Sequence, residues 1–264
     1  MPSCTDHLVL STIDGAADLL IEELRAMSSV RSIRQLSAET VACAVDGPWD
    51  ELVACALYFT IAVGDPGRPA VEVPSLSWMR RFGRVERLPW STNPVVAEVL
   101  VRLAKIRPGD RVVDPFCGTG TILRAVRRRT PAADVIGTDH DPYALGLAAA
   151  NGCRELARAK AEALPYEDKS VDRVVTNLPF GKQVGSHQLN RTLYPAVLRE
   201  LDRVLTGDGR VVLLTEDKSL LQNAIQRHRA LKVVRQRLLK YNGATPTAYV
   251  LTRTQAWTKR TSKR

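Results

Sequence analysis

Two loops contain the residue types and spacings that predict chemistry: DPFCGTGT, from Asp114 to Thr121, and TNLPFG, from Thr176 to Gly181. An apolar run with two valines precedes each loop, so each is predicted to begin at the C-terminal end of a β-strand. In open α/β sheets, ligands bind in the crevice beyond the carboxyl ends of the strands. The two loops therefore predict a nucleotide-like cofactor and an amine acceptor that share one site.

The glycines of the first loop predict a tight turn into a helix. Gly118 and Gly120 allow the backbone to turn and to expose amide groups beside a ligand. Asp139 ends the next predicted strand, where a carboxylate can accept both hydroxyls of a ribose, and Asp114 faces the same crevice. Leu123 interrupts the dinucleotide pattern G-x-G-x-x-G, which disfavours NAD. S-adenosylmethionine fits better, because it has no pyrophosphate and its ammonium needs an acidic partner.

Three further residues have weaker sequence signals for a role in the site. Glu162, in KAEALPYED, is predicted to contact the adenine side of the cofactor, with a solvated loop charge as the alternative. Cys117 has no base nearby in the sequence, so we expect it to pack under the loop and not to act as a nucleophile. His140 is expected to pack beside Asp139.

The second loop predicts binding of a target amine. The exocyclic amine of a purine or cytosine is a poor nucleophile, because its lone pair is delocalised into the ring. If the side-chain oxygen of Asn177 and the carbonyl of Leu178 each accept one N–H, the lone pair is directed at the methyl group and the developing positive charge is stabilised. Phe180 can stack on the base while Pro179 keeps the loop rigid. A turn with a buried Phe is the alternative. The chemistry needs no metal, because a sulfonium is already a good leaving group.

Alternating strands and helices are predicted to position these loops. Strands are expected over 111–113, 134–138, 156–161, 171–176 and 210–214, and helices over 93–105, 119–128, 142–153, 193–205 and 218–227. The last two strands, 231–241 and 248–253, are joined by a short loop and must be antiparallel. Before residue 64, the pattern predicts a β-α-β-β-α unit with strands over 7–13, 30–36 and 40–45 and helices over 14–27 and 48–61.

Charge and composition restrict the partners. The formal net charge of +10 favours a polyanion, and the clusters at 80–87, 127–129 and 258–264 are expected to follow phosphates, with solubility as the alternative role of this charge. The five cysteines are odd in number and lack a CxxC pair, so neither a disulfide framework nor a zinc site is indicated. No apolar run reaches the roughly 18 residues that span a bilayer, and a cytoplasmic location is expected.

The two loops, with GSHQLNRTLYPAVLRELDRVL after the second, resemble those of class I S-adenosylmethionine-dependent amino-methyltransferases. More narrowly, about residues 75–253 resemble the THUMP-associated RNA guanine-N2 methyltransferases that act on tRNA. The resemblance implies an α/β, Rossmann-like class I methyltransferase sheet, parallel with an antiparallel final strand, beside a small α+β N-terminal domain. It further implies that Trp90 to Pro94 approach the methionine end of the cofactor.

Site residues and domain boundaries follow from that resemblance. The implied catalytic residues are Asn177, Leu178, Pro179 and Phe180, and the implied cofactor-binding residues are Thr92, Asp114, Cys117, Gly118, Thr119, Gly120, Thr121, Asp139, His140, Glu162, Ala163 and Asn177. We expect a ferredoxin-like domain over 1–63, a linker over 64–90, the methyltransferase domain over 91–256 and a basic tail over 257–264.

Two departures from the family pattern stand out. About 70 residues precede the linker, enough for the ferredoxin-like domain but not also for a THUMP domain, so a THUMP domain is expected to be missing. Leu178 stands where many relatives have Pro. An RNA (tRNA or rRNA) is the expected substrate, and a partner subunit stays open. The alternatives are a small-molecule, protein-glutamine or DNA amino-methyltransferase, and a noncatalytic RNA-binding protein.

Overall fold

The computed structural model describes residues 5–64, 69–180 and 187–254. Contacts divide the chain into two compact units. The first comprises Met1–Val85 with Leu239–Gly243, and the second comprises Glu86–Leu238 with Ala244–Arg264. The domain boundaries expected from the sequence, including the tail that lies outside the described residues, stay a prediction.

The first unit is built on a five-stranded sheet with the order β2-β3-β1-β4-β5, in which neighbouring strands are antiparallel. Its elements are β1 (Thr5–Ser11), α1 (Ala17–Ala26), β2 (Val30–Gln35), β3 (Thr40–Asp46), α2 (Asp50–Ala54), β4 (Thr60–Val63), β5 (Val71–Glu72), a 3-10 helix (Pro74–Leu76) and α3 (Trp78–Phe82). Side chains alternate between the two faces of β1, and Leu8 and Leu10 are buried on one of them. Helix α1 buries Leu20 and Leu24 on its apolar side. One sheet face and one helix stripe thereby form the core of this unit.

The helix predicted over 48–61 is wrong in extent, because only Asp50–Ala54 are helical and irregular backbone leads from there to β4. Arg81 contributes to the difference, together with Thr12 and Trp78, which donate to the carbonyls of Leu57 and Ala56. The guanidinium of Arg81 donates hydrogen bonds to the carbonyls of Val53, Cys55 and Tyr58 at 3.0, 2.5 and 2.8 Å, and it lies 3.9 Å from the centre of the Tyr58 ring. Carbonyls that lose helical partners are satisfied by these distant side chains, so the segment can be buried without being a helix.

The second unit is built on a seven-stranded sheet with the order β11-β12-β10-β9-β6-β7-β8. Its elements are α4 (Pro94–Ala104), β6 (Arg111–Asp114), α5 (Thr121–Arg129), β7 (Asp134–Asp139), α6 (Pro142–Ala150), β8 (Leu156–Arg158), β9 (Val171–Asn177), α7 (His187–Val204), β10 (Leu205–Thr215), α8 (Lys218–His228), β11 (Leu231–Leu238) and β12 (Thr247–Arg253). Strands β6 to β10 pair in parallel, whereas β12 is antiparallel to both β10 and β11. The predicted mostly parallel α/β sheet with antiparallel final strands is confirmed.

The largest differences from the predicted boundaries of this unit are at the starts of α7 and β10. Helix α7 begins six residues before the predicted start at 193, at His187. Strand β10 starts at Leu205 and contains an irregularity between Leu205 and Arg210. Gly209 permits this irregularity, because a Cβ there would lie 2.4 Å from Cγ of Leu205. Turn-like TGDG therefore belongs to the strand and not to the loop that its composition predicts.

Burial explains why the central strands and α4 form where they do. Strand β9 is a nearly continuous buried run, typical of a parallel strand covered on both faces. The side-chain oxygen of Asn93 caps α4 by accepting from the backbone N–H groups of Val95 and Val96. Glu98 is buried on α4 and forms ion pairs with Arg102 and Arg128. Within the described ranges, no helix is long and apolar enough to cross a lipid bilayer.

Candidate active site

The glycine loop between β6 and α5 has the backbone that its sequence predicts. Gly118 and Gly120 have positive φ values of +52° and +81°. A Cβ at Gly120 would lie 2.4 Å from Sγ of Cys153, so only glycine fits there. A Cβ at Gly118 would meet no atom within 4 Å, so its Cα faces open space. The loop thus packs closely on one side and leaves room beside the start of α5 on the other.

Asp139, at the end of β7, is directly bonded to this loop. Its Oδ2 accepts from the backbone N–H of Gly118 at 2.9 Å, and its Oδ1 accepts from that of Asp141 at 3.0 Å. His140 Nδ1 lies 3.2 Å from Oδ1 of Asp139, with the imidazole largely exposed. The carboxylate of Asp139 is therefore held at the sheet edge beside Gly118, where the sequence places a ribose-binding group.

Asp114, at the end of β6, joins the two loops that the sequence singles out. Its Oδ1 accepts from the Thr176 hydroxyl at 2.6 Å and from the backbone N–H of Phe116 at 3.1 Å. Burial raises the pKa of Asp114 to about 7; the two hydrogen bonds oppose that shift, and the charge of Asp139 adds to it. A buried carboxyl with such a pKa gains most from a cation placed beside it.

Among the described residues, the side-chain amide of Asn177, the last residue of β9, has a hydrogen-bond partner at its nitrogen but not at its oxygen. Its Nδ2 donates to Oγ1 of Thr92 at 3.1 Å. Its Oδ1 is buried and has no hydrogen-bond partner among the described residues. Buried acceptors are normally paired, and unpaired ones are concentrated at functional sites. The amide oxygen is thus the atom of this loop that is poised to accept a hydrogen bond from a ligand.

The rest of the acceptor loop is fixed by α7 and β10. The carbonyl of Pro179 accepts from Asn190 Nδ2 at 2.8 Å and from the Tyr194 hydroxyl at 2.9 Å. The backbone N–H of Leu178 donates to the carbonyl of Leu214 at 3.0 Å, and the Leu178 side chain is buried in the core. The carbonyl of Leu178 stays the predicted second acceptor for the target amine, and the half-buried Phe180 stays the predicted stacking residue.

Asn190 and Tyr194 were missed by the sequence analysis. The signal that identifies them is their spacing on the helix that follows the acceptor loop. Both side chains end in a polar group, and residues four positions apart lie on one face of a helix. Tyr194 Oη also shares a hydrogen bond of 2.9 Å with Oγ1 of Thr215, at the end of β10. One helix face therefore binds a carbonyl of the acceptor loop and the neighbouring strand end.

The segment that precedes α4 is held against the glycine loop. The Asn151 side chain accepts from the backbone N–H of Glu86 at 2.8 Å and donates to the carbonyls of Glu86 and Thr119, both at 2.9 Å. The hydroxyls of Ser91 and Thr119 lie 3.0 Å apart. These contacts hold the stretch around Thr92 next to the glycine loop, and they identify Asn151 as a supporting residue that the sequence analysis missed.

The other predicted residues differ in burial. Glu162 and Ala163 are exposed in the turn that follows β8. Cys117 is buried, and burial together with the nearby carboxylates of Asp114 and Asp139 raises the pKa of its thiol, which suits packing and not nucleophilic attack. Thr121 starts α5, and Gly181 lies outside the described residues. Among the residues that the structure describes, no three His, Cys, Asp or Glu side chains are grouped as metal ligands.

This arrangement fits a nucleoside cofactor with a cationic centre. Asp114 and Asp139 place two carboxylates at neighbouring strand ends, and the open space at the Cα of Gly118 leaves room for a ligand next to the glycine loop. The side-chain oxygen of Asn177, which no described residue bonds, then offers an acceptor for a second ligand with an N–H group.

Comparison with known proteins gives consistent matches. Residues 81–246 match the profile of UPF0020, described as an RMKL-like methyltransferase domain. The tRNA (guanine(6)-N2)-methyltransferase of Thermus thermophilus is 36% identical over 195 residues, which cover 71% of this chain and 57% of that protein. The U6 snRNA (guanine-N(2))-methyltransferase THUMPD2 of Homo sapiens is 30% identical over 154 residues, covering 56% of this chain and 28% of that protein. The chain thus spans little more than half of the first relative.

Two solved structures share the fold across nearly the whole chain. The crystal structure of TrmN from Thermus thermophilus aligns with a TM-score of 0.78 at 25% identity, covering 94% of this chain and 100% of that chain. The structure of SMU.472, a putative methyltransferase complexed with SAH, aligns with a TM-score of 0.68 at 13% identity, covering 97% of this chain and 99% of that chain. At that identity, the second match supports the fold alone.

Proposed function

We propose that this chain, which belongs to the UPF0020 family of RMKL-like methyltransferase domains, transfers a methyl group from S-adenosylmethionine to the exocyclic N2 of guanosine in an RNA. The observation that carries the proposal is the buried Oδ1 of Asn177 at the end of β9, which has no hydrogen-bond partner within residues 5–64, 69–180 and 187–254. An acceptor in this position suits an amine N–H and has no role in binding a phosphate or a carboxylate.

The cofactor side of the site is assigned to the strand ends. S-adenosylmethionine supplies a methyl group on a cationic sulfur, which leaves as a neutral thioether. Asp139 accepts hydrogen bonds from the ribose hydroxyls while its backbone contact with Gly118 keeps the glycine loop in place. Asp114, buried beside it, supplies a negative charge for the cationic part of the cofactor. Glu162, exposed after β8, is assigned to the adenine side.

The acceptor side is assigned to the loop after β9. Asn177 Oδ1 and the carbonyl of Leu178 each accept one N–H of the target amine, which directs its lone pair toward the methyl group. As the amine becomes positively charged in the transition state, both acceptors bind it more strongly than in the ground state, and the methylated amine then loses one N–H proton to solvent water. Asn190 and Tyr194 hold the carbonyl of Pro179, so the loop does not need to reorganise during transfer.

RNA is proposed as the acceptor on two grounds. Relatives that match this chain are named as methyltransferases of guanine N2 in tRNA or U6 snRNA. The net charge of +10 gives a polyanionic substrate a favourable electrostatic contribution to binding. We place the reaction in the cytoplasm, with tRNA as the first RNA to test, and we leave the existence of a partner subunit open.

The test is methyl transfer to defined RNA fractions. The protein is incubated with S-adenosylmethionine labelled in its methyl group and with tRNA, rRNA or small nuclear RNA, and the RNA is digested to nucleosides. The proposal requires label in N2-methylguanosine. Label found in another nucleoside, in a protein or in a small molecule would show that the acceptor is that molecule and not guanosine. Binding of the cofactor without transfer to any acceptor would indicate a noncatalytic protein.

Asn177→Ala provides the internal control. We expect the transfer rate to fall by about 100-fold to 1000-fold, because one preorganised acceptor is lost, while cofactor affinity stays close to that of the parent. Gln236→Ala, which removes an exposed amide from β11, is the matched substitution away from the site. Equal activity of Asn177→Ala and Gln236→Ala would contradict the assignment.

A further inference from the structure

Thr92 and Asn177 lie 85 positions apart in the sequence, yet their side chains are hydrogen-bonded. A primary amide has a donor end and an acceptor end, and both ends need partners when the group is buried. In Asn177 the donor end is paired with Thr92 at 3.1 Å, and the acceptor end is Oδ1, which has no partner in the part of the chain that the structure describes. The hydroxyl oxygen of Thr92 therefore receives the N–H that must point away from a ligand bound at Oδ1.

The backbone on both sides of this contact is fixed. The guanidinium of Arg87 donates to the carbonyls of Ser91 and Thr92, both at 3.3 Å. Asn93, the next residue, caps α4 through its side chain. On the opposite side, Asn177 ends β9 and is followed by the hydrogen bond from Leu178 to β10. Neither partner needs to be ordered when a substrate arrives, so the contact is preorganised.

The contact also affects the chemistry of the acceptor atom. Hydrogen bonds in series polarise one another, so donation from Nδ2 increases the negative charge on Oδ1. A more negative Oδ1 stabilises the positive charge that develops on the target amine. Without an acceptor for Nδ2, the same orientation leaves a buried donor unpaired, and other orientations of the amide become favourable.

We propose that Thr92 is a positioning residue for methyl transfer, whose hydroxyl oxygen accepts the Nδ2–H of Asn177 and thereby holds Oδ1 toward the target amine. This inference rests on the proposed function, because it deepens the role of Asn177 in that reaction. It differs from the role that the resemblance implies for Thr92, which is contact with the methionine end of the cofactor.

The kinetic test compares two Thr92 variants with the parent. Thr92→Val removes the hydroxyl at nearly constant volume and should lower kcat by about 10-fold, with cofactor Kd changed by less than about twofold, because one positioning bond is lost. Thr92→Ser keeps the hydroxyl and should restore most of the lost rate. Ser91→Ala removes the neighbouring hydroxyl, which bonds Thr119 and not Asn177, and serves as the matched control for the spectroscopic measurement below. A Thr92→Val variant with the parent kcat, or with cofactor affinity lost in proportion, would overturn the positioning role.

A double-mutant cycle separates this role from a direct one. If Thr92 acts through Asn177, Thr92→Val should cause no further loss of rate in an Asn177→Ala background, measured in single turnovers. Multiplicative losses would mean that Thr92 acts independently of Asn177, and the proposal would then be wrong.

A spectroscopic test does not depend on the acceptor. In protein labelled with nitrogen-15, the side-chain amide signal of Asn177 is identified by its loss in Asn177→Ala. Thr92→Val should shift that signal and Ser91→Ala should leave it in place. If the parent forms no N2-methylguanosine, the proposed function fails while this measurement still decides the Thr92 contact. If the parent is active and the signal does not respond to Thr92→Val, only the inference about Thr92 fails.

Discussion

The carboxylate of Asp139 and the backbone N–H of Gly118 form a hydrogen bond of 2.9 Å that ties the end of β7 to the glycine loop after β6. The second oxygen of Asp139 accepts from Asp141, at the start of α6. A single side chain therefore shapes the loop and, in the proposed function, also binds the ligand. Loss of this carboxylate should affect both loop geometry and cofactor binding.

Asp139→Ala should weaken cofactor binding by the value of the lost ribose contacts, about 1.5 to 3 kcal/mol for each charge-assisted hydrogen bond. Asp139→Asn retains one acceptor oxygen, so its cofactor affinity should lie between that of the parent and that of Asp139→Ala. Glu162→Ala removes the exposed carboxylate after β8 and should have a smaller effect. Titration calorimetry checks these affinities, and an Asp139→Ala variant that binds as tightly as the parent would remove Asp139 from the ribose site.

Asp114→Asn should change the pH dependence of stability. The pKa of Asp114 is raised to about 7 in the folded protein, above the value of about 3.9 expected in the unfolded chain. Between these two values the folded state holds a proton that the unfolded state has lost. The stabilisation from this group is therefore complete below about pH 4 and is lost as the pH rises through 7. Urea unfolding of the parent should show this decline, and Asp114→Asn should flatten it; identical pH profiles would contradict the assignment.

Cofactor binding should release a proton at about pH 6. A cation bound beside Asp114 favours the carboxylate and lowers its pKa, so the proton held by the buried carboxyl is expelled. Calorimetry in two buffers with different ionisation enthalpies measures the released proton directly. Asp114→Asn should abolish the release, and a parent protein that releases no proton below pH 7 would show that the cation lies elsewhere.

The sequence predicts the strand ends of the second unit well, because their signals are local. A buried β-branched run followed by Asp and Gly indicates a parallel strand and its loop without knowledge of any partner. Asp114, Asp139 and Asn177 were located in this way. Their positions relative to one another then follow from the parallel order of the sheet.

What the sequence does not predict depends on distant partners. Residues 48–61 have an apolar pattern that suits a helix, but distant side chains, among them Arg81, Trp78 and Thr12, satisfy the carbonyls of the buried irregular backbone there. The contact between Thr92 and Asn177 likewise joins segments with no local signal for one another. Asn190 and Tyr194 were missed because a polar pair on a helix face more often faces solvent than a loop carbonyl.

Tyr194→Phe should slow methyl transfer while leaving the core packed. The Tyr194 hydroxyl bonds the carbonyl of Pro179 and the hydroxyl of Thr215, and its loss should destabilise the protein by about 1 kcal/mol and lower the rate by about 3-fold to 10-fold. Tyr143→Phe removes an exposed hydroxyl from α6 and is the matched control. Single-turnover rates and thermal unfolding check both effects. Equal rates for the two variants would show that the Pro179 contact is unnecessary.

Arg80→Ala with Arg84→Ala should reduce the salt dependence of RNA binding. Both side chains are exposed, and each phosphate contact contributes about 0.7 to 0.9 to the log-log slope. Arg81, between them, binds the carbonyls of Val53, Cys55 and Tyr58, so Arg81→Ala should instead lower the melting temperature. RNA binding by the double variant, measured at several salt concentrations, tests this prediction. An unchanged slope would leave the basic charge of this segment without a role in RNA binding.

Asn151 accepts one hydrogen bond and donates two, to Glu86 on the segment before α4 and to Thr119 on the glycine loop. An ionised Asp has no hydrogen to donate, Gln is longer by one methylene, and Ser can donate only one hydrogen bond. None of these side chains can therefore replace all three bonds of Asn151. Asn151 lies outside both loops that carry the chemistry. Purifying selection should nevertheless constrain it as strictly as a residue in direct contact with ligand, and a saturation library at this codon should recover almost only asparagine.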